Sequence, residues 1–171
     1  ILNYEDSTKE INKKIAEADL IFALDYNDPS RLGKEMASTL EGLKSKIVMI
    51  DHHLDPSDFA AISVSEPTVC STAQLVYELI HHDAEALSVL SGTGIYLGIM
   101  TDTGSFRFNS VTPRTHEILG SLLSIGVNHT AIHEAVFGQN SLNQIRLRSH
   151  ALCNNLELIH EGRVALIWLT E

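Results

Sequence analysis

Three polar residues that can bind metal ions and phosphate follow one apolar segment of the chain. Asp51, His52 and His53 stand next to one another directly after the apolar segment 47–50. Packing gives no reason for an acid and two imidazoles in succession at the end of such a segment. Adjacent imidazoles point in different directions, so one can bind a metal ion while the other faces a substrate. The triplet is therefore the first candidate for a functional site.

Two further acids are candidates for the same site. Asp25 ends a second apolar segment in the same way that Asp51 ends the first, and Asp102 lies in a loop with three hydroxyl side chains, a glycine and Arg107. Either acid alone could be an ordinary turn residue. Carboxylates combined with one imidazole suit Mn²⁺ or Mg²⁺ better than Zn²⁺, because oxygen ligands dominate such a site.

The two apolar segments have the length and composition of buried parallel strands. Residues 20–24 and 47–50 are short, rich in β-branched or aromatic side chains, and end in polar groups. Between them Asp28 and Pro29 predict a helix start, and the apolar face of that helix comprises Leu32, Met36, Leu40 and Leu43. A β-α-β unit crosses over right-handed and makes its strands parallel. Both strands then end at the same edge of the sheet, where open α/β folds bind ligands.

Other elements are expected to cover this sheet. A short strand is predicted at residues 61–64, and a hairpin from Leu156 to Thr170. Predicted helices run from Ser7 to Ala18 and from Ala84 to Met100, and others begin at Ser71, Thr112, Asn128 and Ser141, the one at Thr112 with Ile118, Leu119, Leu122 and Leu123 facing inward. The pattern predicts an α/β fold with a mainly parallel central sheet flanked by helices.

Composition narrows the classes of function. The chain has 171 residues, 44% of them hydrophobic, which is a globular composition with enough length for a real core. Its formal charge of −10 argues against binding long nucleic acid, which needs many basic residues. Two cysteines form no disulfide framework, so a cytoplasmic location is expected. No apolar run is long enough to predict a membrane span.

The motifs, taken in order, resemble those of the DHH phosphoesterases. The Asp51-His52-His53 triplet at a strand end is similar to the motif that names this family. Segment 20–33 resembles the second motif, segment 71–79 the helix after the triplet, and segment 98–108 the fourth motif. The resemblance runs from about residue 20 to the end of the chain. It is strongest to the branch of nanoRNA hydrolases and 3′-phosphoadenosine-5′-phosphate (pAp) phosphatases.

The resemblance implies a role for each residue of the candidate site. Asp25 would bridge two metal ions, and His52 and Asp102 would bind one of them. His53 would face the scissile phosphate as a hydrogen-bond donor or acid. Asp51 would stand behind the ligands and hold the turn or an imidazole.

The resemblance also implies a reaction, which is metal-dependent hydrolysis of phosphate esters in short oligonucleotides or pAp. The implied cofactor is Mn²⁺, with Mg²⁺ as the alternative. Arg107 is the expected contact for the substrate anion, although a surface salt bridge explains it almost equally well. Alternative enzymes of this class are an exopolyphosphatase, a cyclic-dinucleotide phosphodiesterase and an inorganic pyrophosphatase. From another class, the chain could be a non-catalytic regulatory or oligomerising domain.

Two parts of the family pattern are missing from this sequence. No His-x-x-x-Asp-x-Asp motif precedes residue 20, and the small C-terminal substrate-binding domain of the family does not follow. Residues 1–171 are therefore expected to be an incomplete DHH catalytic domain from a longer polypeptide. Such a chain should bind Mn²⁺ weakly and hydrolyse little by itself. The expected partner is a short nucleotide or phosphate ester, with no long nucleic acid and no membrane, and a homodimer is compatible with the sequence.

Overall fold

The chain divides into two units, residues 1–129 and residues 130–171. The computed structural model describes residues 2–83 and 85–169. The helix start expected at Ala84 and the hairpin end expected at Thr170 lie outside the described residues. In the described part of the chain, every helix is too short or too polar to cross a lipid bilayer.

A parallel three-stranded sheet forms the centre of the first unit. Strands β1 (Ile21–Leu24), β2 (Ile47–Asp51) and β3 (Ile62–Ser65) lie side by side in that order. The middle strand is buried because it has a neighbour on each side, and Ile47, Met49, Ile50 and Asp51 are each at most 3% exposed. The predicted α/β fold with a parallel central sheet is confirmed.

The strand register determines which polar residues meet at the sheet edge. Leu24 lies opposite Ile50 in the parallel pair of β1 and β2. Asp25 therefore lies beside Asp51, which is the last residue of β2 and pairs with Ser65 of β3. The backbone N–H of Asp25 donates to the carbonyl of Ile50 at 3.1 Å, so pairing continues to the end of the strand.

The helical start predicted at Asp28 and Pro29 is confirmed, but the single long helix predicted from there is wrong, because the chain breaks at Gly33. A 3₁₀ turn spans Pro29–Leu32, and a short helix α2 (Lys34–Ser38) follows it. Gly33 has a φ of +78°, a left-handed conformation that glycine adopts freely and that interrupts helical hydrogen bonding. Leu40 nevertheless lies in the core beside the sheet. The apolar pattern therefore predicted the burial of Leu40 correctly, but it predicted one helix where the chain forms two short elements.

Helix α1 (Tyr4–Glu17) begins earlier than predicted. Asn3 caps it by accepting a hydrogen bond from the N–H of Glu5, whereas Ser7 was the expected cap. At Ser7 the backbone is non-helical, with φ −135° and ψ 28°, and the helix kinks there. The capping signal at Ser7 therefore marks a kink inside the helix.

Two helices that pack closely together carry residues of the candidate site. Helix α3 (Thr72–Ile80) starts after Ser71, whose side chain caps it as predicted. Helix α4 (Val89–Asp102) starts five residues later than residue 84 because Ser88 forms a capping box there. The two helices approach closely at Gly98, where a Cβ atom would lie 2.7 Å from that of Ala73.

Helix α5 (Pro113–Ser124) completes the helical packing of the first unit. Thr112 caps it, and Ile118, Leu119 and Leu122 are buried as predicted. The prediction for Leu123 is wrong, since this side chain is 42% exposed. The apolar stripe of this helix is thus narrower than its leucine content indicated.

The second unit combines helices with a hairpin. Helices α6 (His129–Phe137) and α7 (Leu142–Asn154) are followed by strands β4 (Leu156–Ile159) and β5 (Val164–Ile167). Ser141 caps α7, and the two strands pair antiparallel, as predicted.

Candidate metal centre

The candidate site lies where β1 and β2 end. Asp25 follows β1 directly and has a φ of +67°, so the chain turns sharply at this residue. His52 and His53 follow β2, and Asp102 is the last residue of α4. Parallel strands bring the first three residues to one edge of the sheet, and α4 brings the fourth to the same place.

His52 lies between two carboxylates. Its Nε2 atom is 3.8 Å from Oδ1 of Asp25 and also 3.8 Å from Oδ2 of Asp102. The ligand atoms of Asp25, His52 and His53 all lie within 4.8 Å of one another. Atoms that are each about 2 Å from one cation are separated by about 3 to 4 Å. The two 3.8 Å separations fall within this range, so Nε2 of His52 could share an ion with the carboxylate oxygen on either side.

The imidazole of His52 is held in one tautomer by the chain behind it. Its Nδ1 atom lies 3.4 Å from the carbonyl oxygen of Val69. A carbonyl can only accept a hydrogen bond, so Nδ1 carries the hydrogen. The lone pair of the neutral ring is then on Nε2, the atom that faces both carboxylates.

His53 is oriented by a buried acid. Asp51 is fully buried, and its carboxylate accepts hydrogen bonds from Nδ1 of His53 at 2.7 Å and from the His53 backbone N–H at 3.1 Å. This arrangement leaves Nε2 of His53 as the ring nitrogen available to a ligand. Asp51 lies behind His53, and the roles of both residues stay predictions.

The electrostatics of the site favour a bound cation. Burial raises the pKa of the Asp102 carboxyl above its ordinary value, and the negative charge of Asp25 raises it further, while His52 and His53 act in the opposite direction. A carboxylate whose charged form is disfavoured gains from a nearby cation. Two carboxylates and an imidazole are also a donor set that hard divalent ions accept. The residues present therefore fit a divalent metal.

Arg107 belongs to a turn that follows Asp102. Gly104, Ser105 and Phe106 all have left-handed backbone conformations, with φ of +56°, +62° and +65°. Nε of Arg107 donates to the Gly104 carbonyl at 2.6 Å, which holds the side chain against its own loop. The role of Arg107 in substrate binding stays a prediction.

Thr72 is a residue of the site that the sequence analysis did not single out. Its hydroxyl donates to Oδ1 of Asp25 at 2.8 Å, although the two residues are 47 positions apart. Thr72 is only 4% exposed. A hydroxyl directly after the helix cap Ser71 was the available signal, but its partner becomes apparent only in the folded chain.

Curated relatives of this chain include nucleotide hydrolases. It is 32% identical over 123 residues to the bifunctional oligoribonuclease and PAP phosphatase NrnA of Thermus thermophilus, a match that covers 72% of this chain and 36% of the relative. It is 28% identical over 137 residues to the cyclic-di-AMP phosphodiesterase GdpP of Geobacillus thermodenitrificans, which covers 77% of this chain and 20% of that protein. The chain thus spans about a third or less of the length of these two relatives.

A solved structure and a family model agree with these relatives. The chain superimposes on a crystal structure of an exopolyphosphatase-related protein from Bacteroides fragilis with a TM-score of 0.92 and 36% identity, covering 99% of this chain and 50% of the other. The model of the DHH family, N-terminal domain, matches residues 2–101, which include Asp25 and the whole Asp51-His52-His53 triplet. Proteins of this family depend on metal ions, and the described residues contain an acidic and histidine cluster that suits one. The chain belongs to the DHH family.

Proposed function

We propose that this chain carries part of the metal site of a phosphoesterase that hydrolyses phosphate esters of short oligonucleotides or pAp. One observation carries the proposal: Nε2 of His52 lies 3.8 Å from a carboxylate on either side, at the ligand-binding edge of a parallel sheet. The similarity to an oligoribonuclease and PAP phosphatase supports the substrate class.

Asp25, His52 and Asp102 are the residues that would hold the metal. We propose Mn²⁺ as the ion, with Mg²⁺ as the alternative, because two carboxylates outnumber the single imidazole. When bound, such ions acidify a water molecule and neutralise phosphate oxygens. The tautomer of His52 is already the one that a metal ligand needs, since Val69 accepts the hydrogen on Nδ1.

His53 would act on the substrate side of the site, with Asp51 behind it. Asp51 accepts the Nδ1 hydrogen of His53, so Nε2 is the atom that would donate a hydrogen bond or proton to a substrate oxygen. Asp51 itself is buried and would act only through His53. Arg107 would add a positive charge for a substrate phosphate through its remaining guanidinium N–H groups.

Polyphosphate and cyclic dinucleotides are the alternative substrates. The first is favoured by the 36% identity to an exopolyphosphatase-related protein, and the second by the similarity to a cyclic-di-AMP phosphodiesterase. All of these substrates share phosphoester or phosphoanhydride bonds and negative charge, so the same metal site would serve each of them. A regulatory domain without catalysis is the alternative of another class.

The test combines metal binding with hydrolysis. Mn²⁺ binding to this chain is measured by electron paramagnetic resonance, and hydrolysis of pAp, a linear dinucleotide, a cyclic dinucleotide and polyphosphate is assayed with the full-length protein that contains the chain. We expect weak Mn²⁺ binding by the chain and Mn²⁺-dependent turnover of pAp or the linear dinucleotide by the full-length protein. Rapid turnover by the chain alone would contradict the view that its site is incomplete. No metal binding together with no turnover in either protein would favour the regulatory alternative.

The cellular setting is also a proposal. Cys70 and Cys153 are both free, the first buried and the second exposed, which is compatible with the reducing cytoplasm. We propose a cytoplasmic protein that acts on short phosphorylated substrates, with no role for long nucleic acid or membranes. A homodimer remains compatible with this proposal and is tested by light scattering after size-exclusion chromatography.

A further inference from the structure

We infer that the segment of residues 69–72, which leads into α3, holds two metal ligands in position, with Thr72 as the positioning residue for Asp25. The inference rests on the proposed function, because it concerns the same metal site. It assigns a role to residues that lie outside the predicted ligand set.

Thr72 acts on the more exposed of the two ligands. The side chain of Asp25 is 54% exposed, and an exposed carboxylate has several rotamers of similar energy. The buried Thr72 hydroxyl donates to Oδ1 of Asp25 at 2.8 Å, and the same oxygen is the one that faces Nε2 of His52. A carboxylate oxygen has lone pairs for both a hydroxyl and a cation. The hydrogen bond therefore favours one rotamer of Asp25 and leaves a lone pair of Oδ1 for a metal ion.

The same segment controls His52 through Val69. The Val69 carbonyl accepts the Nδ1 hydrogen of His52 at 3.4 Å and directs Nε2 toward the carboxylates. Asp25 follows β1 and His52 follows β2, and the segment 69–72 contacts both of them. The relative position of the two ligands is thus set by a third part of the chain.

A buried polar network keeps this segment rigid. The thiol of Cys70 donates to Oε1 of Gln74 at 3.1 Å, and the hydroxyl of Thr115 on α5 donates to the same oxygen at 3.3 Å. The hydroxyl oxygen of Ser71 accepts from the N–H of Gln74 at 3.2 Å. All four residues are buried, so these bonds are shielded from water and cost more to break than surface bonds. The segment is therefore a fixed support for the two ligands.

The experiment compares two substitutions of Thr72 with a threonine-to-valine substitution at a second position. Thr72→Val keeps the shape of the side chain and removes the hydroxyl, and Thr72→Ser keeps the hydroxyl. Thr93→Val on α4 is the matched control, because the Thr93 hydroxyl donates only to the helix carbonyl of Val89 at 2.7 Å among the contacts described. Mn²⁺ affinity of each variant of this chain is measured by electron paramagnetic resonance, and thermal unfolding checks that each variant folds.

We expect Thr72→Val to weaken Mn²⁺ binding about 10- to 100-fold, the usual effect of losing a residue that orients a ligand. Thr72→Ser should restore most of the affinity, and Thr93→Val should leave it unchanged. A second measurement needs no metal: three-bond NMR couplings of Asp25 report its χ1 rotamers. One rotamer should dominate in the wild type and in Thr72→Ser, and several should be populated in Thr72→Val.

The possible outcomes separate the inference from the proposed function. Unchanged couplings and unchanged Mn²⁺ affinity in Thr72→Val would overturn the inference and leave the proposed metal site intact. A wild-type chain that binds no Mn²⁺ would count against the proposed site, and the couplings of the metal-free chain would still decide whether Thr72 positions Asp25. Equal losses in Thr72→Val and Thr72→Ser would also overturn the inference, because the hydroxyl would then not be the cause.

Discussion

Two charged clusters in the first unit use similar residues in opposite ways. The acid cluster consists of Asp25, His52, His53 and Asp102. The Arg114 clamp consists of Glu78 on α3 with Arg114 and Glu117 on α5. In the clamp, the Arg114 guanidinium lies 2.7 Å and 2.8 Å from the two carboxylate oxygens of Glu78 and 3.1 Å from Glu117. In the acid cluster, the shortest contacts of Nε2 of His52 to the carboxylates are 3.8 Å.

The pKa shifts of the two clusters run in opposite directions. The hydrogen bonds from Arg114 lower the pKa of Glu78, whereas burial and the charge of Asp25 raise the pKa of Asp102. The clamp satisfies its carboxylate within the chain and joins two helices. The acid cluster brings two carboxylates together without a lysine or arginine among its four residues. This difference distinguishes a structural ion pair from a site suited to an external cation.

The largest expected effect is on metal affinity. Asp25→Asn or Asp102→Asn removes a charged ligand and should weaken Mn²⁺ binding more than about 100-fold, beyond the effect of losing an orienting group. The metal-free variants should be as stable as the wild type or more so, because the repulsion between the two acids is lost. Isothermal titration calorimetry and thermal unfolding measure the two quantities. Glu78→Gln is the control, and an equal loss of Mn²⁺ affinity in that variant would remove the distinction between the clusters.

The next effect concerns the packing of α3 against α4. α3 carries Thr72 beside the acid cluster and Glu78 of the clamp. Gly98→Ala places a methyl group 2.7 Å from the Cβ of Ala73, so we expect a loss of about 1 to 3 kcal/mol in the free energy of unfolding. Gly94 lies on the same helix with no atom within 4 Å of its would-be Cβ, and Gly94→Ala should gain up to about 1 kcal/mol. Urea unfolding measures both variants, and equal changes would contradict the close contact at Gly98.

A smaller effect is expected from the clamp. The side chains of Arg114 and Glu78 are 44% and 36% exposed, and exposed ion pairs contribute about 1 kcal/mol or less. A double-mutant cycle with Arg114→Met and Glu78→Gln should give a small favourable coupling energy in urea unfolding. Mn²⁺ affinity should not change in either variant. A coupling energy near zero would mean that the bidentate geometry adds nothing to stability.

The smallest effect is the pH dependence of stability. The pKa of Glu78 lies below its ordinary value of 4.5 in the folded chain, so its contribution is complete above pH 4.5 and is lost as the pH falls through the folded pKa. For Asp102, whose pKa is raised above 3.8, the sign is reversed, and the folded state loses stability as the pH rises from 3.8 through the raised pKa.

The free energy of unfolding of Glu78→Gln and Asp102→Asn is measured between about pH 3 and pH 7 and compared with that of the wild type. Each difference should change by less than about 1 kcal/mol over this range, because solvent screens both groups. Glu78→Gln should approach the wild type on acidification. Asp102→Asn should gain on the wild type as the pH rises. If the stability difference from the wild type changed with pH in the same direction for both variants, the contrast between the clusters would be refuted.

Much of the site follows from local sequence patterns. The apolar segments ending in Asp25 and in the triplet predicted two parallel strands, and the parallel register places these residues at one edge. Ser71 and Thr112 predicted helix starts correctly, because a cap depends only on its immediate neighbours. The break at Gly33 was not predicted, since an apolar helical repeat does not reveal a left-handed backbone residue within it.

The sequence by itself determined which residues end the strands, which donor types meet and which family the motifs resemble, because these depend on residue type and short spacing. Only the tertiary structure decided how the donors are held. Thr72 reaches Asp25 across 47 residues, and Val69 supports His52 across 17. These contacts form only when α3 packs beside the sheet. A local sequence pattern cannot identify such a partner, because residues that are distant in the sequence determine it.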